Sequence, residues 1–160
     1  MKIELIHMGN ALLEKAIEYF WKQWGNESNF DFYKNCIENS VSNDISIPKF
    51  YVMLDDEKII GSYALLLNDL ISRQDLCPWF ACLFVDESYR NQGLATKLIQ
   101  HGCDESRKRG FDSLYLSTDI NDFYEKKGWH YYANGYTAFG DRIKIYSKKL
   151  NQDSASIDHK

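Results

Sequence analysis

Apolar and polar residues alternate along KIELIH near the N-terminus, the period of a half-buried strand. ALLEKAIEYFWKQW then carries apolar residues at helical spacing and runs to Gly25, which punctuates it. FDFYKNCIENS predicts a second, weaker helix before the loop that contains Pro48. KFYVMLDDEKIIGSYALLLN reads as two strands joined by an acidic turn at Asp55 to Lys58, an antiparallel hairpin although no Asn-Gly or Asp-Gly marks it. The apolar run in PWFACLFVD is too continuous for a half-wet edge, so it predicts a central strand covered on both faces, with Pro78 at its beginning.

Leu94, Ala95, Leu98, Ile99, Gly102 and Cys103 fall on one face of a helix that starts at Gly93, reaches about Arg109 and is stopped by Gly110. DSLYLST is a further apolar strand. A central strand, a helix and a second such strand make a crossover with the two strands parallel. NDFYEKKG predicts a short helix with Asn121 as N-cap and Gly128 just past its end, and WHYYANGY with RIKIYSKKL predicts a closing hairpin. The class is α/β (α+β). With 160 residues, 44% hydrophobic and 15% aromatic, the chain is the size of one domain able to bury a core without metal or disulfide support. That domain is expected over 1–150, and the tail NQDSASIDHK, 151–160, has little to bury and is expected to lack order.

A formal charge of −4 gives no broad cationic field, which argues against nucleic acid or an anionic membrane as a partner and suits a cationic ligand better. The apolar stretches are far shorter than the roughly 20 residues of a bilayer span, and MKIELIHMGN has no signal-peptide core, so a cytoplasmic protein is expected. Cys36, Cys77, Cys82 and Cys103 then read as free thiols. Cys77 and Cys82 form no Cys-x-x-Cys pair, so no metal is expected.

At ESYRNQGLATKLIQ a side-chain-poor turn opens a helix beside a cation. Glycine there lets the backbone come close to a ligand, and the free N–H groups of a helix start favour an anion such as phosphate; a purely steric need for glycine is the alternative. The order of residues is neither a Walker loop nor a dinucleotide fingerprint. In its context VDESYRNQGLATKLI resembles the acetyl-CoA signature of the GNAT superfamily of N-acetyltransferases, R/Q-x-x-G-x-G/A, as Arg90, Gly93 and Ala95. FYEKKGW, about 30 residues later, resembles the second signature of that family, typically FYEKLGF. The resemblance covers most of the chain and implies a central, mixed, mostly antiparallel twisted sheet with a parallel βαβ crossover in its middle, flanked by about four helices.

What the resemblance implies for function is direct transfer of acetyl from acetyl-CoA to a primary amine of a small molecule or peptide, without an acyl-enzyme. The N–H groups around Asn91, Gln92, Gly93, Leu94, Ala95 and Thr96 would hold the pyrophosphate. The Arg90 side chain could reach a phosphate or pair with Asp86 or Glu87, and Lys97 could meet the nucleotide phosphates or stay in solvent. Leu83, Phe84 and Val85 would pair through their main chain with the pantetheine arm. Ser117 stands where many members carry a pantetheine-contacting asparagine. Tyr124, the tyrosine of FYEK, would protonate the departing thiolate, a task suited to a phenol with pKa near 10; packing in the core is its rival role.

An alkylammonium with pKa about 10.4 is neutral in about one part in 10³ at pH 7, about 4.6 kcal/mol, so a base or a desolvating pocket is wanted. The central strand carries no acid, leaving Asp75, Asp119, Asp122 and His130 as candidates, with Asp122 also suited to a helix N-terminus. In YFWKQWGNESNFDFY, the residues Trp21, Trp24, Glu27, Asp31 and Tyr33 could wall a pocket for a cationic acceptor, or the helix could simply bury its tryptophans. Two other readings stay open: a non-catalytic acyl-CoA-binding module, and a cysteine-dependent acyltransferase using Cys82. Monomer and homodimer are both compatible with the pattern.

Overall fold

The computed structural model describes residues 1–42 and 44–150; the tail expected over 151–160 lies outside the described residues. Its elements are β1 (Lys2–Leu5), α1 (Leu13–Trp24), α2 (Phe30–Glu38), β2 (Lys49–Asp55), β3 (Lys58–Leu66), β4 (Trp79–Val85), α3 (Leu94–Lys108), β5 (Ser113–Thr118), β6 (His130–Tyr136) and β7 (Arg142–Lys149), with 3-10 turns at Glu87–Tyr89 and Glu125–Lys127. The class is the expected mixed α/β. The described chain falls into two compact units, the first made of Met1–Leu65 and Cys82–Gln100, the second of Leu66–Ala81 and the chain from His101 onward.

In the first unit the hydrogen-bonded strand order is β1-β2-β3-β4. The β2–β3 hairpin forms as its pattern predicts, with Asp55 opposite Lys58 and the turn made possible by Asp56 at φ 51. Tyr51 and Tyr63 are directly opposite, and their rings stack at 4.6 Å with both side chains buried. Ala16, Ile17 and Phe20 are the buried stripe of α1, and Phe20 meets Phe50 of β2 edge-on at 5.1 Å. Asn10 launches that helix by accepting the N–H of Leu12 at 2.7 Å, and Gly25 ends it by donating to the Trp21 carbonyl.

In the second unit the order is β4-β5-β7-β6. Strands β4 and β5 pair in parallel at Trp79 and Tyr115, which is the expected crossover with α3 as its connecting helix; the remaining pairs here are antiparallel. Trp79, Ile71, Leu76 and Ile145 form a buried cluster against which Tyr115 packs, and the Trp79 indole donates to the Leu76 carbonyl at 2.7 Å. Alternation along β5 is strict: Leu114, Leu116 and Thr118 are buried, while Ser113, Tyr115 and Ser117 are half-buried.

The expected short helix over NDFYEKKG is a single 3-10 turn, so the described residues hold three α-helices. Asp122 at φ 64 cannot sit in a right-handed helix, which delays the turn until Tyr124. The Tyr124 carbonyl then accepts the N–H groups of Lys127 and Trp129, with Gly128 at φ 85 closing the turn as expected. Asn121 is not its cap; its side-chain oxygen accepts from Lys144 at 2.7 Å.

Gly61, in the first unit, is fixed by close approach of neighbouring atoms. A Cβ on Gly61 would lie 3.0 Å from the Phe84 carbonyl oxygen and 3.2 Å from Leu98 Cδ1. Gly61→Val is expected to destabilise the protein by about 2 kcal/mol, read as a lowered urea midpoint with unchanged slope.

Candidate active site

Within the first unit, Arg90, Asn91, Gln92 and Gly93 form the exposed turn that feeds α3. Asn91 at φ 64 and Gly93 at φ 76 are both left-handed, and Lys97 donates to the Gly93 carbonyl, which makes Gly93 the cap residue of the helix. An added Cβ on Gly93 would meet nothing within 4 Å, so glycine is required there by backbone conformation and the space above it is open. The amides of Leu94, Ala95 and Thr96 belong to the first helical turn, where the helix offers no acceptor and its dipole favours an anion. That open cradle fits a diphosphate. The side chain of Arg90 turns back instead, its Nε donating to the Val85 carbonyl at 2.9 Å and its guanidinium lying 5.3 Å from the Phe84 ring centre.

The same unit holds Leu83, Phe84 and Val85 on β4. The strand is irregular just before them: Cys82 sits at φ 56, a strained conformation for a residue with a side chain, and its carbonyl accepts the Ser62 hydroxyl at 2.9 Å. Nothing in the sequence marked this break, because the hydrophobic run passes through it unbroken.

Tyr124, in the second unit, is 7% exposed. Its ring packs edge-on against Phe123 and Trp129 and lies 6.5 Å from that of Tyr146. Burial pushes its phenol up to about 12, so it is fully protonated at neutral pH. Tyr124 is thus a core aromatic whose hydroxyl keeps its proton at neutral pH.

Of the candidate bases, Asp75 is a poor one. Arg73 grips it through two hydrogen bonds of 2.8 and 2.7 Å, and this pairing holds its carboxyl below the usual range. Asp119, Asp122 and His130 are exposed. A different acid stands out. Asp69, in the loop between β3 and β4, is half-buried and is pushed up to about 6, first by burial, with a hydrogen bond from the Ser117 hydroxyl acting in the opposite direction. Its only trace in the sequence is an acid set among Leu67, Leu70 and Ile71.

The loop that carries Asp69 is braced on every side. Asn68 accepts the Ile71 N–H at 3.0 Å and donates to the Arg73 carbonyl, while Gln74 donates to the Ile71 carbonyl at 2.8 Å. Ser72 donates its N–H to the Tyr136 carbonyl and accepts the Tyr136 N–H on its hydroxyl, both at 2.9 Å, and Ile71 bridges to Thr137.

Between α1 and α2 lies a cavity of about 440 Å³ whose lining includes Trp21, Phe30, Glu14, Glu18 and Glu38. It uses Trp21 from the expected aromatic set; Trp24, Glu27, Asp31 and Tyr33 are not on its wall. None of the four cysteines, all among the described residues, is in a disulfide. Among the described residues no helix is long and apolar enough to cross a membrane, and no group of three or more His, Cys, Asp and Glu side chains is placed to hold a metal ion.

The acetyltransferase (GNAT) family model matches residues 9–129. N-alpha-acetyltransferase 30 of Schizosaccharomyces pombe is 33% identical, with 58% of this chain and 69% of that protein covered. Among solved structures, the aminoglycoside 6'-N-acetyltransferase from Enterococcus faecium superposes with a TM-score of 0.71 at 17% identity, covering 94% of this chain and 97% of that one. A GNAT acetyltransferase from Elizabethkingia anophelis with acetyl-CoA bound superposes with a TM-score of 0.64 at 15% identity, covering 93% and 97%. By the extent of the family match and by this relative, the chain belongs to the GNAT acetyltransferase family.

Proposed function

We propose that this acetyltransferase moves the acetyl group of acetyl-CoA directly to a primary amine, with residues 1–150 acting as one catalytic domain. The observation that carries the reading is the paired left-handed turn at Asn91 and Gly93, open above Gly93 and feeding the first-turn amides of α3. Those amides hold the diphosphate; Arg90 braces the turn from below through Val85 and Phe84. When bound, acetyl-CoA supplies an activated acyl group as a thioester. Leu83, Phe84 and Val85 offer main-chain donors and acceptors to its pantetheine arm. Tyr124, protonated at neutral pH, gives its proton to the departing thiolate.

An α-amine of a peptide is the favoured acceptor, because the 33%-identical relative is an N-alpha-acetyltransferase. Such an amine has a pKa near 8, so roughly a tenth of it is neutral at pH 7, far more than of an alkylamine. A thiol-release screen over peptide N-termini, amino acids, polyamines and aminoglycosides tests both statements. Release of coenzyme A with peptides is the expected result; acetyl-CoA binding with no release on any amine would make the protein a binding module instead.

Two substitutions separate binding from chemistry. Tyr124→Phe is expected to lower kcat about 10²-fold while the Kd for acetyl-CoA, measured by calorimetry, stays within twofold. Gly93→Ala forces a Cβ into φ 76 and is expected to weaken acetyl-CoA about tenfold, a strain of about 1.4 kcal/mol, with kcat at saturation nearly unchanged.

A further inference from the structure

Strand β5 sorts the titratable groups of the second unit onto two faces. Ser117 lies opposite Ile145 and Leu116 opposite Tyr146 in the antiparallel pair with β7, and directly opposed residues share a face. Tyr115 and Ile145 belong to the cluster with Ile71 and Trp79, so the face of Ser117 is the one covered by the Asp69 loop. Tyr124 packs on Tyr146 and therefore belongs with the opposite face, that of Leu116.

We propose that Asp69 is the general base of the reaction, held by the Ser117 hydroxyl on one face of β5 while Tyr124 serves as the acid from the other. The proposal rests on the acetyltransferase reading given above. In the step it describes, the acceptor nitrogen bonds to the acetyl carbon and its proton passes to the Asp69 carboxylate. The carbon–sulfur bond breaks, and the thiolate takes the phenolic proton of Tyr124. Asp69 then loses a proton to water and Tyr124 regains one, so the cycle closes without any other reactant.

Three features of Asp69 fit it for this work. Its loop is pinned at Asn68, Ile71, Ser72 and Gln74, so the carboxylate is held rather than swinging. Its ionisation falls close to neutrality, where a base is both unprotonated and reasonably strong. The cation of its own loop does not compete for it, since Arg73 is taken up by Asp75. The strand registers put His130 of β6, opposite Ser147, and Lys149 of β7, opposite Ser113, on the same face as Tyr115 and Ser117, while Tyr132 and Tyr136 of β6 and Asp119 just beyond β5 are further ionisable groups of these elements.

The test is the pH dependence of kcat/KM from pH 5 to 9 for the native protein, Asp69→Asn and Ser117→Ala, with a peptide α-amine as acceptor and acetyl-CoA binding measured in parallel. The carboxylate is the active form, so activity of the native protein is expected to rise through an acid limb near pH 6. Asp69→Asn is expected to bind acetyl-CoA normally, to lose about 10²-fold in kcat/KM and to lose that limb. Ser117→Ala removes the hydrogen bond that favours the carboxylate, so its limb moves to higher pH; a limb that stays in place contradicts the proposal. An Asp69→Asn protein as active as the native one, with the same profile, overturns the role of Asp69 and leaves the transferase reading standing. A native protein that binds acetyl-CoA yet releases no coenzyme A with any amine overturns both.

Discussion

The two-residue period of β5 is the constraint on which the chemistry of the second unit depends. Six residues, Ser113 to Thr118, are held in register by β7 on one side, and a shift of one position would exchange the faces of Leu116 and Ser117. The buried side chains of Leu114, Leu116 and Thr118 forbid that slip, since it would place Tyr115 and Ser117 where they now pack. Register thus determines that one hydroxyl, that of Ser117, meets the Asp69 carboxylate. The same pairing puts Tyr146 on the face where its ring lies 6.5 Å from that of Tyr124.

In the first unit the distinctive feature is backbone conformation rather than side chains. Cys82, Asn91 and Gly93 all lie in the left-handed region within twelve residues of sequence, two of them at a conformational cost that only surrounding structure can sustain. Ser62 steadies the first by binding its carbonyl, and Gly61 lets β3 come close enough for that contact. Arg90 steadies the turn that follows by binding the carbonyl of Val85. Gln92 and Thr96 are exposed, and a contact made through their main-chain amides, as proposed, would leave no mark on their side chains.

Elements whose identity rests on periodicity were readable from the chain: the stripe of α1, the hairpin at Asp55 to Lys58, the apolar runs of β4 and β5, and the glycine that ends α3. The turn at Arg90 to Ala95 and Tyr124 were readable by resemblance, since a motif carries its structural context with it. Asp69 was not, for a physical reason. Its significance comes from burial and from Ser117, a residue 48 positions away in the sequence numbering, and neither is a local property. The helix expected at NDFYEKKG failed on another ground: Gly128 closes the turn as read, but the left-handed Asp122 removes the first turn, and Asn121 binds Lys144 instead of capping it. For Asp75 the sequence shows Arg73 two residues before it but not that the two side chains pair.

Burial acts on Asp69 and Tyr124 in the same sense, raising both, and yet suits them to opposite tasks. A carboxylic acid lifted to about 6 remains about nine-tenths ionised at pH 7 while gaining basicity over one at its ordinary value near 3.9. A phenol lifted to about 12 moves further from ionisation and keeps its proton until a strongly basic partner appears. Burial therefore widens the difference between ready acceptor and reserved donor. A base of this strength is well matched to an amine with pKa near 8 and poorly to one near 10.4, where the uphill transfer would be about two further units, close to 3 kcal/mol. In the proposed role, the ionisation of one half-buried aspartate would bear on acceptor choice as well as on rate.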